Sequence, residues 1–272
     1  MSRTCVYLVN EHPLYTKMVC NSIFMLRSYN RTIPVKVFFI RDGGVTTHNQ
    51  SIVPSPPTSF NTPNVLSILQ QLDAQVLEVD TISRPGLENY FFTNRLHFGT
   101  LTEESVLHID GDTMIFDDVE KLFDESEMKV PVSKWYIQNK LDCVSSFGRN
   151  VPPFNAAIML FNNGLCQKWA GELEHYIERT KQSTWYRRNQ DPLEEIATNW
   201  WACDNVKNMG YFSPKEVFPV EKPDDLISPP RSIIVHTYVQ QWQTLYQSLG
   251  KPLEAAIWNK SRMFKTKRPG QK

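Results

Sequence analysis

Apolar residues fall along this chain in two rhythms. Cys5–Val9 and Val35–Ile40 are nearly continuous apolar runs, the pattern of strands buried on both faces of a sheet. Between them Tyr15, Met18, Val19, Ile23 and Leu26 recur at helical spacing, with the small Ser22 on the same face. Pro13 stands where that helix can begin, because a first-turn N–H has no intrahelical partner to lose. Strand, helix, strand in this order predicts a β-α-β unit and a parallel sheet. The stretch 41–64 then breaks the pattern: Gly43, Gly44, Pro54, Pro56, Pro57 and Pro63 punctuate polar sequence. It reads as a loop longer than compact domains carry without a functional or dynamic reason.

Downstream, Asn64 is the expected cap of a helix through Leu72, and Val76–Val79 gives a short strand. A helix from about Tyr90 to Leu101 carries Arg95 and His97, and a strand follows over Val106–Asp112. Ile115-Phe116 and a short helix around Val119–Phe123 close the first half. In the second half Val130-Pro131-Val132 is expected at a sheet edge, since proline cannot donate to a ladder. Phe154–Phe161 reads as a strand, and Leu165, Trp169, Leu173 and Ile177 mark an amphipathic helix. Asn189-Gln190-Asp191-Pro192 starts another, with Asp191 as its cap. Ser232–Val235 is a last apolar strand, ending in His236.

Chemistry concentrates at Val106-Leu107-His108-Ile109-Asp110-Gly111-Asp112-Thr113. Side chains two apart on an extended backbone point to one side, so the Asp110 and Asp112 carboxylates would reach one cation. Gly111 between them leaves room for a ligand or backbone to come close. Open α/β sheets bind ligands at the carboxyl ends of their strands. A hard divalent ion prefers oxygen ligands and sits between carboxylates and substrate phosphates. The pattern therefore reads as a metal–diphosphate site. Asp-Gly is also a common turn dipeptide, which is the plainer reading of the same residues.

Composition narrows the classes. The formal net charge is zero, which argues against bulk nucleic-acid binding. Five widely spaced cysteines with no C-x-x-C pair fit a reduced compartment better than a disulfide framework or a zinc site. The start has no signal-peptide core, and no apolar run approaches a membrane span, so a cytoplasmic protein is expected. Beyond residue 259 the tail carries Lys260, Arg262, Lys265, Lys267, Arg268 and Lys272 and no acid. That tail is either a solvated end or a weak, peripheral contact with an anionic membrane surface.

Read together, the segments resemble the glycosyltransferase A fold, in its glycogenin and lipopolysaccharide galactosyltransferase type. The likeness is carried, in order, by the first strand and helix with Asn10 and Tyr15; by Asn94-Arg95-Leu96-His97 followed by Asp110-Gly111-Asp112-Thr113; by Phe154-Asn155-Ala156-Ala157 and Asn189-Gln190-Asp191; and by Ile234-Val235-His236 with Trp242 beyond. It spans residues 4 to about 245. It implies an α/β, single-domain fold over 1–245, with a mixed, mostly parallel central sheet flanked by helices and the D-x-D at a strand end. Residues 1–112 would form the nucleotide-binding half and 113–245 the donor-sugar and acceptor half, with a C-terminal helix and basic tail over 246–272.

The resemblance also implies an activity: metal-dependent transfer of a sugar, with retention, from a nucleotide-diphosphate donor, most simply a UDP-sugar. The acceptor, whether glycan, lipid-linked or protein, is not legible. Asp110, Asp112 and His236 would hold Mn2+ or Mg2+. Tyr15 and the backbone around Asn10 would hold the base, and Arg95 the diphosphate or donor sugar. Gly111 would sit against the donor, with Asn155 and Gln190 near the reacting carbon and Asn189, Gln190 and Asp191 as the catalytic segment. Two departures stand out. Gln240 and Gln241 occupy the place of a customary lysine before the tryptophan, and Asn189 stands where the family has Asp, leaving Asp191 as the acid that could replace it.

Two enzyme rivals and a binding module are the alternatives. A haloacid-dehalogenase-type phosphatase wants Asp-x-Asp-x-Thr near the start of its domain, whereas Thr113 follows Asp112 directly and far along the chain. A nucleotidyltransferase opens with a glycine-rich loop, which Asn10-Glu11-His12-Pro13 is not. A nucleotide-sugar-binding protein without transfer activity would account for the missing lysine.

Overall fold

The computed structural model describes residues 2–41, 62–82, 91–132, 153–183, 193–220 and 232–237. The expected β-α-β start is present: β1 (Arg3–Asn10), α1 (Pro13–Tyr29) and β2 (Val35–Arg41), with β1 and β2 parallel. Then come α2 (Thr62–Gln71), β3 (Ala74–Asp80), a 3-10 helix (Phe91–Thr100), β4 (Ser105–Ile109), β5 (Thr113–Ile115) and a short 3-10 turn (Val119–Leu122). The second half holds β6 (Met128–Pro131), β7 (Ile158–Phe161), α3 (Leu165–Gln182), α4 (Leu193–Asn205), β8 (Met209–Phe212), β9 (Val217–Pro219) and β10 (Ile234–His236).

Seven strands form one sheet in the order β3-β2-β1-β4-β7-β6-β8. Pairing is parallel from β3 to β4 and between β6 and β8, and antiparallel on both sides of β7. The pleat divides the core. Cys5, Tyr7 and Val9 face one layer with Val19, Ile23 and Leu26 of α1 and Val65 and Leu69 of α2. Val6 and Leu8 face the other, with Phe98 of the 3-10 helix, Trp169 and Leu173 of α3 and Trp201 of α4. Both faces are covered, which is why the strands read as continuous apolar runs. A second sheet, β5-β10-β9, contributes Ile115, Val217 and Ile234 to the α1 layer.

Several expectations are corrected. Pro131 lies on an interior strand, between β7 and β8. It is tolerated there as the last residue of β6, where its carbonyl accepts from Asn155 N (3.3 Å). The strand expected from Phe154 begins only at Ile158. Asn155 Oδ1 accepts from Ala157 N (2.8 Å), and this side-chain turn takes the backbone out of the ladder. The helix carrying Arg95 is 3-10, so Arg95 and Phe98 share a face, and both are buried. Asn64 lies inside α2, which starts at Thr62. The short strands β8 and β9 had no strand pattern of their own.

Cys5, Cys20, Cys166 and Cys203 are buried, and Cys143 lies outside the described residues. So do most of the 41–64 loop and the basic tail. No helix among the described residues is long and apolar enough to cross a membrane.

Trp169 is fully buried between Phe98 and Phe161, with ring centroids at 6.2 Å and 5.0 Å. Trp169→Ala should cost about 3–5 kcal/mol in urea unfolding, through lost transfer energy plus an unfilled cavity. A loss below about 1 kcal/mol would show that this layer closes over the gap.

Candidate metal centre

The chain leaves β1 towards β2 and later returns to the other side of β1 for β4. Such a reversal opens a crevice outside the carboxyl ends of the two strands. Asn10 is the last residue of β1, and Asp110 is the first after β4.

β4 stops at Ile109, short of Asp112. Asp110 N still donates to Ala157 O (2.9 Å), and the chain then turns through Gly111 and Asp112 into β5. The carboxylates are brought together by a turn, a correction to the extended geometry expected from the sequence. Buried hydroxyls pin that turn. Thr113 Oγ1 donates to Asp110 O (2.9 Å), Ser22 Oγ lies 2.8 Å from Thr113 Oγ1, and Tyr7 OH lies 3.0 Å from Ser22 Oγ. A carbonyl only accepts, so Thr113 must receive its bond from Ser22, and Ser22 from Tyr7. On the other flank Thr237 donates to Asp112 O from both N (3.0 Å) and Oγ1 (2.8 Å). Gly111 is required by α1: a Cβ there would lie 2.8 Å from Val19 Cγ2.

His236 arrives by strand register. β10 pairs antiparallel with β5, and His236 falls opposite Thr113. Its Nε2 is 3.3 Å from Asp112 Oδ1. One ligand atom each from Asp110, Asp112 and His236 lie within 4.8 Å of one another. Two carboxylate oxygens and an imidazole nitrogen form a donor set that fits a divalent ion such as Mg2+ or Mn2+.

Behind these groups lie two buried bases. Arg95 Nη2 donates to Asp110 Oδ1 at 3.1 Å, and His108 Nε2 is 3.1 Å from the same oxygen. Burial pushes the Asp110 carboxyl up, but Arg95 and His108 outweigh it and hold it below the usual range. Burial keeps His108 below the ordinary imidazole range, so that it stays neutral. For His236 burial is overcome by Asp112, Asp110 and Glu195, and its pKa is raised. Asp112 is raised by burial and by the Asp110 charge, against the pull of His236.

No protein-family model matches the chain, and no curated protein matches it in sequence. Solved structures do match. The galactosyltransferase LgtC, crystallised in complex with donor and acceptor sugar analogs, aligns with TM-score 0.55 and 12% identity over 93% of this chain and 99% of its own. The glycosyltransferase GlyE of Streptococcus pneumoniae, in its apo form, gives TM-score 0.55 and 17% identity over 95% of this chain and 62% of its own. WbbM, a bifunctional glycosyltransferase, gives TM-score 0.58 and 11% identity over 94% of this chain and 51% of its own. The chain has the glycosyltransferase A fold.

Within this fold the remaining sequence-derived residues distribute unevenly. Asn10 is buried, and its Oδ1 accepts from His12 N (3.1 Å). Tyr15 is half-buried against the α1 layer, with its ring 5.0 Å from that of His12. Asn155 Nδ2 donates to Glu195 Oε2 (3.2 Å). Asn189, Gln190 and Asp191 lie outside the described residues, as do Gln240, Gln241 and Trp242. Sequence reasoning missed His108, Glu194 and Glu195. His108 left a trace, as an imidazole inside an apolar run and two positions before Asp110. The glutamates left none, because an acid in a helix's first turn is ordinary.

Two outcomes test this arrangement. Gly111→Ala should destabilise by about 1–3 kcal/mol through the clash with Val19, and adding Val19→Ala should recover part of it. Thermal melts of the single and double variants read this directly, and a fully additive double variant would show that the two sites do not touch. Glu194 is buried, and burial together with the Glu195 charge pushes its pKa up to about 8 from 4.5. A raised acid stabilises the fold at low pH, and that contribution drains away as pH rises between those values. Glu194→Gln should therefore melt progressively higher relative to wild type from pH 5 to pH 9. A melting difference independent of pH would remove Glu194 from this role.

Proposed function

We propose that the chain is a metal-dependent glycosyltransferase that takes a sugar from a nucleotide-diphosphate donor, most simply a UDP-sugar. One observation carries this reading: Asp110, Asp112 and His236 converge at the strand reversal of a glycosyltransferase A fold. The LgtC structure was obtained with donor and acceptor sugar analogs, which supports a sugar-donor site in this fold.

In this reading Asp110, Asp112 and His236 would hold Mn2+ or Mg2+. The ion, when bound, supplies positive charge against the negative charge that grows on a departing diphosphate. The protein's own groups do the rest. Arg95 keeps Asp110 ionised and adds a fixed positive charge behind the diphosphate end. Gly111 keeps the turn low, so that the donor can lie across it. Tyr15, with Asn10 at the strand end, offers a ring and polar atoms for the base. Asn155 would face the donor sugar, and the resemblance assigns Asn189, Gln190 and Asp191 to the reacting carbon. Residues 1–112 thus form the nucleotide half and 113–245 the sugar and acceptor half. Retention of configuration follows the resemblance to the galactosyltransferase type.

Asp112→Asn should abolish UDP-sugar turnover, and so should a chelator added to wild type. The variant should melt at or above the wild-type temperature, because it removes one of two mutually repelling carboxylates. The shifts at Asp112 and His236 are both upward, so Mn2+ must displace a proton, and its affinity should fall as pH drops through and below the imidazole range. Calorimetry in buffers of different ionisation enthalpy reads that proton release. Turnover that survives both the substitution and the chelator would sink the assignment.

A further inference from the structure

Glu195 lies in the first turn of α4 and is only 7% exposed. Its Oε2 accepts from Asn155 Nδ2 (3.2 Å) and from Ala156 N (3.3 Å). One helical turn later Asn199 accepts from Phe154 N at Oδ1 (3.0 Å) and donates from Nδ2 to Phe154 O (3.0 Å) and to Glu195 O (2.8 Å). Residues four apart share a helix face, so α4 grips Phe154-Asn155-Ala156 with two side chains. The gripped segment does not end there. Asn155 Oδ1 holds Ala157 N (2.8 Å), and Ala157 O receives Asp110 N (2.9 Å), the last bond before the Asp110–Asp112 turn. An unbroken series of bonds thus joins the Glu195 carboxylate to the backbone of Asp110.

A carboxylate is costly to bury unless its lone pairs are used. Here one oxygen takes the Ala156 backbone N–H, which no ladder satisfies because the chain has left the sheet at Asn155, and an N–H of the Asn155 side-chain amide. We propose that Glu195 is a positioning residue, which fixes the seat of Asp110 and the direction of Asn155 and so sets the affinity for the divalent ion. This rests on reading Asp110, Asp112 and His236 as a metal centre, but not on any transfer chemistry.

The test is Mn2+ binding by calorimetry, with and without UDP, on the full chain. Removing a direct partner of a metal ligand typically costs 10–100-fold in affinity; Glu195 acts on Asp110 at one remove, through Asn155 and Ala157, so Glu195→Ala should bind Mn2+ about 10-fold more weakly. Glu195→Gln should stay close to wild type, because one amide oxygen can accept both bonds. Glu195→Asp keeps the charge but withdraws it by one methylene, and should follow the alanine variant. It decides the matter alone if Glu195→Ala does not fold. Wild-type affinity in Glu195→Ala or in Glu195→Asp overturns the proposal. So does a glutamine variant as weak as alanine, which would assign the effect to charge and not to grip. A wild-type chain that binds no Mn2+ would remove the metal centre itself, and the positioning role with it.

Discussion

Two carboxylates confined to one turn of a partly buried crevice repel each other, and much of the surrounding structure is arranged to contain that repulsion. At the distances involved the energy is large wherever water is scarce. Arg95 takes up part of it at Asp110, and His236 takes up part at Asp112. The backbone cannot relax away either. Thr113 and Thr237 hold the two carbonyls, and α1 packs against Gly111 from beneath. Two carboxylates and an imidazole so confined are groups that a divalent cation would take up in exchange for a proton.

The sheet makes the confinement affordable in space. Both faces are covered, so β1 and β4 lie deep in the protein, and Asp110 and Asp112 stay half-buried beyond the carboxyl end of β4. The reversal of strand order puts those ends side by side although the chain between them is long. Tyr7, Ser22 and Thr113 then link strand, helix and turn by hydroxyls with one allowed direction of donation. A buried chain of that sort is worth having only when every member is satisfied, and this one ends on a carbonyl that closes it.

Much of this was legible in the sequence. Continuous apolar runs at Cys5–Val9 and Val35–Ile40 could only be strands covered on both faces, and the helical spacing from Tyr15 to Leu26 named the layer beneath them. Asp110, Asp112 and His236 were legible as a set through the order of segments, and the structure brings them together. The illegible parts share a physical cause. Pro131 marked an edge only on the assumption that its missing donor would matter, and at a strand's last residue it does not. Asn155 broke the ladder through its own side chain, which no apolar count registers. Glu195 looked like any acid in a first turn, and its work became visible only when Asn155 and Ala156 were seen to need an acceptor. The carboxylates met through a turn because Asp-Gly favoured one; the turn, posed as the rival of the site reading, is what gathers Asp110 and Asp112 beside His236.

The route by which His236 reaches the centre has a further meaning. It comes on a three-residue strand of the second sheet, while Asp110 follows the last residue of a strand in the first. A strand that short has little hold of its own, and a slip of one residue would turn the imidazole to the opposite face. An ion bound by all three groups would therefore act as a rivet between two sheets. Linkage makes such a rivet work in both directions: whatever seats the second sheet more firmly tightens the ion by the same free energy, and whatever loosens the ion frees the sheet.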